Sequence, residues 1–341
     1  MELFLAIILM IVGLILLIKG SDAFVDIGTK IGKMFKMSEI LIGLTIVCIG
    51  TSLPELLLSI SASFNHRSDF LIGNIVGTNI FNMCGILGII CLMNPLKLLR
   101  QTVRKDMNMS LLSSVALLIL LLDVLNGQTP NTLSRTDGII LLLLFAVFIY
   151  YTFYEFGGYF RDLREKKYKA AKENKVRYEE KNKKVFSMKD IKKLAIYFVI
   201  LLICIAAIYI GAELVVNNAI IVAKHFKVSE TFISIAIVAV GTSLPEISTS
   251  ISAIKKKRIN IAVGNLIGSN MFNTLLVLGI SSLINPITVN TSSLLLDAGV
   301  FVLVCLTLRL FTKKKPEITE LEGFTLIAIY ISYMAYVLYR R

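Results

Sequence analysis

Long apolar stretches dominate the chain, and short polar segments separate them at intervals. A helix that crosses the hydrocarbon core of a bilayer needs about 17–25 mostly apolar residues. Ten stretches approach or exceed that length, and they lie near 3–18, 40–63, 70–93, 107–125, 139–153, 194–222, 231–254, 259–284, 293–308 and 324–338. The pattern predicts an all-α integral membrane protein with ten transmembrane helices, five in each half.

The two halves carry the same polar motif inside an apolar stretch. Gly-Thr-Ser-Leu-Pro-Glu occurs at 50–55 and again at 241–246. Residues 20–95 align with 211–286 at a constant offset of 191, without a gap and with 33 identities in 76 positions. The chain is therefore an internal duplication. Because each half has an odd number of predicted spans, the second copy enters the membrane from the opposite side, which predicts inverted repeats.

One hydrophilic segment, 154–193, separates the two halves and holds 14 Lys or Arg. We expect it to be a basic cytoplasmic linker, which fixes the topology and could also sense anionic lipid or an ion. The predicted organisation is a first five-helix repeat over 1–153 and a second over 194–341. The duplicated motifs lie in an alpha-1 region at 40–94 and an alpha-2 region at 231–285.

Composition excludes a soluble protein, because 56% of the residues are apolar and only 17% are charged. The mean hydropathy is +0.77. The net charge of +13 could suggest a nucleic-acid partner, but its distribution gives another explanation. If the N-terminus lies outside, the loops that face the cytoplasm hold 30 of the 36 Lys and Arg residues. This positive-inside bias predicts both termini outside and the linker inside, with the lipid bilayer and no nucleic acid as partner.

Each motif places one carboxylate, Glu55 or Glu246, at membrane depth, where a charge is costly and usually functional. Pro54 and Pro245 lack an amide donor, so they free carbonyl groups just upstream that can line a polar cavity. A second motif follows each Glu by eighteen residues. Its polar side chains recur every four residues, on one helical face. They are Asn74, Thr78 and Asn82 in the first repeat and Asn265, Ser269 and Asn273 in the second.

Two carboxylates with hydroxyl, amide and carbonyl oxygens match a hard cation such as calcium or sodium. Zinc or copper would call for His or Cys ligands, and the five cysteines lie in apolar spans without paired spacing. Alternatively, these polar residues only hold the helices together. Two negative charges can be neutralised by one divalent or two monovalent cations, and competition for that charge predicts exchange. We expect no cofactor besides the transported ions.

At these motifs the chain resembles the cation/calcium exchanger superfamily, and it is similar throughout to the compact prokaryotic sodium/calcium exchangers. The resemblance covers both repeats and extends to the pairs Asp137-Gly138 and Glu322-Gly323, which open the last span of each half. It implies a Na⁺/Ca²⁺ antiporter, not an enzyme, that works by alternating access while its two long helices slide across a static core. It also implies a multi-pass monomer in a prokaryotic cytoplasmic membrane.

The resemblance further implies a set of ion ligands. Calcium would be bound by the carboxylates of Glu55 and Glu246 and the carbonyls of Thr51 and Thr242. The sodium sites would use the same two glutamates and other groups, which are the hydroxyls of Ser52, Ser243, Thr78 and Ser269, the carbonyls of Cys48 and Ala239, and the amide of Asn82. Asn273 would be a polar residue of the cavity. Some members have Asp there, linked to potassium co-transport or protonation, so Asn favours a potassium-independent mode.

Three other functions are weighed against this one. A proton-driven calcium exchanger of the same fold is the first, although such relatives tend to carry a Gly-Asn-x-x-Glu signature instead of the repeated hexapeptide. A passive cation channel could line a pore with two glutamates, but channels usually build pores between subunits. An intramembrane hydrolase lacks support because the sequence has no His-Glu-x-x-His motif. The coupling ion, stoichiometry and direction of transport stay open.

Overall fold

The computed structural model describes residues 2–100, 102, 105–122, 131–173, 188–226, 239–289 and 292–339. The helices in these ranges are α1 (Glu2–Met34), α2 (Glu39–Phe64), α3 (Ser68–Ile80, Phe81–Ile86 and Leu87–Met93), α4 (Asp106–Leu120), α5 (Arg135–Glu173), α6 (Met188–His225), α7 (Ala239–Thr242 and Leu244–Lys255), α8 (Ile259–Ile284), α9 (Ser292–Phe311) and α10 (Glu320–Tyr339). Four short strands accompany them, β1 (Leu96–Lys97), β2 (Asn131–Leu133), β3 (Ile287–Val289) and β4 (Glu317–Ile318).

Eight of these helices are long and apolar enough to cross a membrane, so the all-α membrane fold is confirmed. The other two are α4, which has 15 residues, and α7. The predicted span 231–254 is described only from residue 239, since 231–238 lie outside the described residues. The count of ten crossings therefore stays a prediction. Residues 174–187 of the predicted linker also lie outside the described part.

Helices α3 and α8 form the centre of the molecule. In the most apolar stretch of α3, 83% of the residues are buried, and in that of α8, 78% are. The corresponding share is only 17% in α5 and in α10. Most of the polar residues predicted on one face of α3 and of α8 are buried too. Four are fully enclosed, namely Asn82, Asn265, Ser269 and Asn273, and Thr78 is nearly so. The polar residues of the duplicated motifs thus face protein and not lipid.

Equivalent helices of the two halves run in opposite directions. On α1 and α6, Gly13 lies against Gly211, whereas Gly20, further along α1, lies against Ile208, which is earlier in α6. Helices α3 and α8 show the same reversal, since Asn79 bonds to Thr274 but the later residue Asn82 bonds to the earlier residue Asn270. An antiparallel relation between equivalent helices is the inverted duplication that the sequence predicts.

The last helix of each half begins with the same side-chain cap. Asp137 accepts hydrogen bonds from the backbone N and the hydroxyl of Ser134, at 2.8 and 2.6 Å. Glu322 accepts the equivalent pair from Thr319, at 2.8 and 2.9 Å. A carboxylate three residues after a Ser or Thr cap satisfies an amide that the first helical turn leaves free. The paired Asp-Gly and Glu-Gly positions noticed in the sequence are therefore helix starts.

The glycine that follows each cap marks a contact between the halves. A Cβ at Gly138 would meet Gly279 O at 2.8 Å, so α5 of the first half packs closely on α8 of the second. A Cβ at Gly323 would meet Gly88 O at 3.2 Å, so α10 of the second half packs on α3 of the first. Each half therefore places its last helix on the other half.

Two short antiparallel ribbons repeat this exchange, and the sequence analysis did not predict them. Strand β1 follows α3 and pairs with β4, which precedes α10. Strand β3 follows α8 and pairs with β2, which precedes α5. Leu96 and Ile287 are separated by the same offset of 191 that relates the repeats, so the ribbons are equivalent.

Gly43 lies where α2 meets α8, and its replacement tests this packing. A Cβ there would collide with Ile261 O and would lie 2.9 Å from both Asn265 N and Gly264 Cα. We expect Gly43→Ala to lower the free energy of unfolding by about 1–3 kcal/mol, because backbone atoms cannot move aside easily. The measurement is the thermal unfolding midpoint in detergent.

Gly299→Ala is the matched control, because a Cβ at Gly299 meets nothing within 4 Å. Its unfolding midpoint should equal or exceed that of the unsubstituted protein, since alanine has the higher helix propensity. Equal midpoints for the two variants would contradict the close approach of α2 to α8.

Candidate cation-binding site

The structure brings the two motif glutamates together at the centre of the molecule. The exposed fractions of Glu55, on α2, and Glu246, on α7, are 2% and 0%. Their carboxylates are close enough to repel each other electrostatically. Within the described part of the chain, neither forms an ion pair with Lys, Arg or His. Two buried negative charges without a cationic partner are strongly unfavourable unless something else supplies positive charge.

The helix around the motif differs between the two repeats. In α2 the α-helix continues from Cys48 to Phe64 through Pro54 without a break. In α7 the helix breaks at Ser243, which has φ −94° and ψ 6°, and a new helix begins at Leu244 with Pro245 in its first turn. Inside a helix, a proline such as Pro54 removes one backbone hydrogen bond. In a first turn, a proline such as Pro245 removes none, because no helix forms that bond there.

Wide π-helical turns interrupt α3 and α8 at equivalent positions. They span Phe81–Ile86 and Phe272–Val277, and they contain Asn82 and Asn273 as their second residues. Such turns are rare and are frequent at functional sites. The apolar pattern did not predict them, and the two segments share only Phe and Asn at their first two positions. The repetition of that Phe-Asn pair was the one available signal.

Several oxygens of the predicted ligand set are buried and accept no hydrogen bond. They are both carboxylate oxygens of Glu55, Oε2 of Glu246, Oδ1 of Asn82, Oδ1 of Asn273 and the hydroxyl of Ser243. A buried polar atom without a partner costs about 1–3 kcal/mol, and a charged one costs more. All of these atoms are oxygens, which a hard cation prefers as ligands. The donor set therefore fits sodium or calcium.

Hydroxyl groups connect the two repeats around the carboxylates. The hydroxyl of Ser52 donates to Glu246 Oε1 at 3.4 Å, and that of Thr51 lies 3.1 Å from Asn265 Oδ1 and 3.5 Å from Ser269 Oγ. No cluster of three or more His, Cys, Asp and Glu residues occurs in the part of the chain that the structure describes. A cation at this site would consequently depend on neutral oxygens besides the two carboxylates.

The remaining predicted ligands lie on the same helices, α2, α3 and α7. Thr78 is buried on α3. The Cys48 thiol donates to Leu44 O at 2.8 Å, and the Cys48 carbonyl accepts from the Thr51 hydroxyl at 3.3 Å. Thr242 is half-buried beside the break in α7, and Ala239 begins the described part of that helix. Their roles as ligands stay predictions.

Charged residues outside the centre tie one end of α1 to the turn between α7 and α8. Asp26 pairs with Lys256 at 2.7 Å and with Arg258 at 3.3 Å. Asp22 accepts from the hydroxyl of Ser252 at 2.6 Å. The equivalent residue of Asp22 on α6 is Glu213, which accepts from Tyr209 of its own helix. Among the described residues, α1 therefore forms ion pairs with the turn between α7 and α8, and α6 forms no equivalent ion pair through Glu213.

Comparison with known proteins identifies the family. Residues 5–154 and 196–339 match the family model described as sodium/calcium exchanger protein. The chain belongs to the sodium/calcium exchanger family. This confirms the resemblance noticed in the sequence, and the family is one of ion exchangers and not of enzymes.

Two relatives match over nearly the whole chain. Identity to the sodium/calcium exchanger MaX1 of Methanosarcina acetivorans is 33% over 351 residues, which covers 97% of this chain and 98% of the relative. Identity to the inner membrane protein YrbG of Escherichia coli is 31% over 332 residues, which covers 97% and 96%.

A solved exchanger structure has the same fold. The sodium-calcium exchanger NCX_Mj, soaked with zero Na⁺ and Ca²⁺, matches with a TM-score of 0.77 at 28% identity, covering 98% of this chain and 99% of that chain. A second structure of NCX_Mj, soaked with 2.5 mM Na⁺ and 0.1 mM Ca²⁺, matches with a TM-score of 0.76 at 29% identity and covers 97% and 98%. The all-α exchanger fold is therefore shared over its full extent.

Replacing one carboxylate should stabilise the protein when cations are absent. Glu55→Gln removes one of two repelling buried charges, and the new amide can donate to acceptors that now lack a donor. We expect the free energy of unfolding in chelator-containing, sodium-free buffer to rise by about 1–3 kcal/mol. Thermal unfolding in detergent measures this change.

Glu320→Gln, in the exposed first turn of α10, is the control and should leave the unfolding midpoint unchanged. Added calcium or sodium should raise the midpoint of the unsubstituted protein and of the control, because a ligand that binds only the folded state stabilises it. If Glu55→Gln lowered the midpoint in cation-free buffer, the two buried charges would not be the destabilising element.

Proposed function

We propose that this protein is a secondary antiporter that exchanges Na⁺ for Ca²⁺ across the membrane at a site formed by Glu55 and Glu246. One observation carries the proposal: two buried carboxylates lie together, and several buried oxygens there, including both of Glu55 and one of Glu246, accept no hydrogen bond. Calcium takes 6–8 oxygen ligands at about 2.3–2.6 Å. A cation satisfies this set, whereas a further hydrogen-bond acceptor does not.

The charge of the site gives the coupling. One Ca²⁺ or two Na⁺ neutralise the two carboxylates, so the two ions compete for the same charge. An empty site carries two bare charges in a medium of low dielectric constant and resists closure over them. The protein therefore switches between its two membrane-facing states readily only when cations occupy the site. Transport of one ion in one direction is then coupled to transport of the other ion in the opposite direction, which is exchange.

The proposed ligands follow the positions of the oxygens. Calcium is bound by the two carboxylates and by the carbonyls of Thr51 and Thr242. Sodium binds around the same pair, and its further ligands are the hydroxyls of Ser52, Ser243, Thr78 and Ser269, the carbonyls of Cys48 and Ala239, and the amide of Asn82. The buried positions of Ser243, Thr78 and Ser269 support this assignment. Asn273 contributes a neutral oxygen to the cavity.

Alternating access is supported by the two long helices. Helices α1 and α6 have 33 and 38 residues, more than a bilayer requires, and they meet through the backbones of Gly13 and Gly211. Glycine leaves no side chain to lock such a contact. We infer that α1 and α6 move together across the core of the other helices and open the site to one face at a time, as an inverted repeat permits.

The location follows from the relatives and the charge distribution. One relative is named an inner membrane protein, and another is named a sodium/calcium exchanger from an archaeon. We propose a multi-pass protein of a prokaryotic cytoplasmic membrane, with both termini outside and 154–193 in the cytoplasm. The site combines both halves of one chain, which supports a monomer as the working unit.

Calcium-45 uptake into sodium-loaded proteoliposomes tests the function. Dilution into choline buffer creates an outward sodium gradient, which should drive uptake, whereas dilution into sodium buffer should not. Glu55→Gln and Glu246→Gln should each abolish gradient-driven uptake, because a single carboxylate cannot neutralise calcium. Glu320→Gln serves as the control and should retain uptake. Uptake that follows an imposed pH gradient and ignores sodium would instead make the protein a Ca²⁺/H⁺ antiporter of the same fold.

Potassium should have no effect on this uptake. Asn273 presents a neutral amide, so the site has no third carboxylate to bind an additional monovalent cation. We expect equal initial rates at low and at high potassium, with the potassium concentration equal on both sides of the membrane in each arm, so that valinomycin holds the membrane potential near zero in both. A rate that rises with potassium on both sides of the membrane would contradict the potassium-independent mode.

A further inference from the structure

Two asparagines that the proposed ligand set does not include lie at the crossing of α3 and α8. Asn79 and Asn270 are equivalent residues of the two repeats, and both are fully enclosed. Each lies three residues before a site asparagine, Asn82 or Asn273. Buried side-chain amides at membrane depth are costly unless they are fully bonded, so these two invite an explanation.

The amide of Asn270 has one possible orientation. Its Nδ2 donates to the backbone carbonyl of Asn79 at 3.0 Å, and a carbonyl oxygen can only accept. The Oδ1 of Asn270 therefore faces the other way, where it accepts from Nδ2 of Asn82 at 3.0 Å. This bond leaves Oδ1 of Asn82 without a donor. A backbone group of the first repeat thus sets, through Asn270, the direction of a site amide.

Asn79 makes the corresponding contact with the other site asparagine. Its Oδ1 accepts from Nδ2 of Asn273 at 3.4 Å, and its own Nδ2 donates to the hydroxyl of Thr274 at 2.8 Å. Oδ1 of Asn273 is again left without a donor. The pairing is crossed, since each of these asparagines holds the site amide of the opposite repeat.

We propose that Asn79 and Asn270 are positioning residues that turn the carbonyl oxygens of Asn273 and Asn82 toward the cation. An amide has similar shape at its oxygen and nitrogen ends, so packing alone does not distinguish the two orientations. A rotation by 180° would present NH₂ hydrogens to a cation and repel it. The hydrogen bonds of Asn270 remove that ambiguity before an ion arrives, because a backbone carbonyl fixes its amide, and those of Asn79 do so less strictly, since the Thr274 hydroxyl can donate as well as accept. Such preorganisation is how a site gains affinity.

The hydrogen bonds of Asn270 and those of Asn79 differ in strength. Asn270 is anchored on a backbone carbonyl, which no side-chain substitution removes. Asn79 is anchored on Thr274, whose equivalent in the first repeat is Met83 and has no hydroxyl. The bond to Asn82 is also shorter than the bond to Asn273, at 3.0 against 3.4 Å. We expect Asn82 to be held more firmly than Asn273.

Direct binding of calcium-45 to the purified full-length protein tests the proposal, with sodium affinity obtained by competition. It rests on the proposed cation site but does not require transport. Asn270→Ala should weaken the affinity for sodium, of which Asn82 is a proposed ligand, roughly three- to tenfold, the effect of one lost hydrogen bond on a site amide. Asn65→Ala, an exposed asparagine at the end of α2, is the matched control and should bind as the unsubstituted protein does.

A double-mutant cycle separates positioning from general packing. If Asn270 acts through Asn82, the double variant Asn270→Ala/Asn82→Ala should bind no more weakly than Asn82→Ala alone, within about twofold. Asn79→Ala should show the same non-additivity with Asn273→Ala. The two pairs within one helix, 79 with 82 and 270 with 273, should be additive. Additive effects in the crossed pairs would overturn the proposal.

A variant of nearly unchanged shape keeps the proposal falsifiable if an alanine variant does not fold. Thr274→Val removes the acceptor of Asn79 Nδ2 and should weaken ion binding about two- to fivefold, through Asn273. Unchanged affinity in this variant would overturn the role of Asn79. If the unsubstituted protein bound neither calcium nor sodium, the proposed function itself would fail, which differs from a site that binds but ignores these substitutions.

Discussion

The repulsion between two buried carboxylates is the constraint on which the rest of this structure depends. In the described part of the chain Glu55 and Glu246 lie together without a cationic side chain, so both carboxylates can be ionised at low cost only when positive charge comes from outside the chain. A monovalent or divalent cation also needs neutral oxygens, and a membrane helix hides its own carbonyls in hydrogen bonds. The break in α7 and the polar side chains of α3 and α8 are the means by which this fold exposes oxygens at membrane depth.

Duplication lets one short motif supply both charges, yet the two copies are not equivalent. Helix α2 runs continuously through Pro54, whereas α7 breaks at Ser243. The ion pairs of Asp26 hold one end of α1, and α6 has no matching arrangement at Glu213. A transporter that alternates between two faces must favour one of them in any single structure, and differences of this kind between inverted repeats are the expected result.

The sequence predicted the features that depend on hydrophobic length and on exact repetition. Most of the spans, the inverted relation and the clustering of the motif oxygens follow from those two signals. It did not predict the π-turns or the two ribbons. Those depend on which backbone group finds a partner across the halves, and apolar periodicity carries no information on hydrogen-bond partners. The pair Asn79 and Asn270 was visible in both motifs, but its role required the direction of each amide.

The crossed contacts between the halves have a consequence for how the protein is made. The side chains of Asn79 and Asn82 bond to partners about 190 residues later in the chain, and α3 and α5 pack on helices of the second half. At a synthesis rate of about 5–20 residues per second, the first half waits in the membrane for roughly 10–40 s before those partners exist. During that interval its amides and its carboxylate need water, lipid head groups or another protein as temporary partners. The first half is therefore a biosynthetic intermediate and not an independent folding unit.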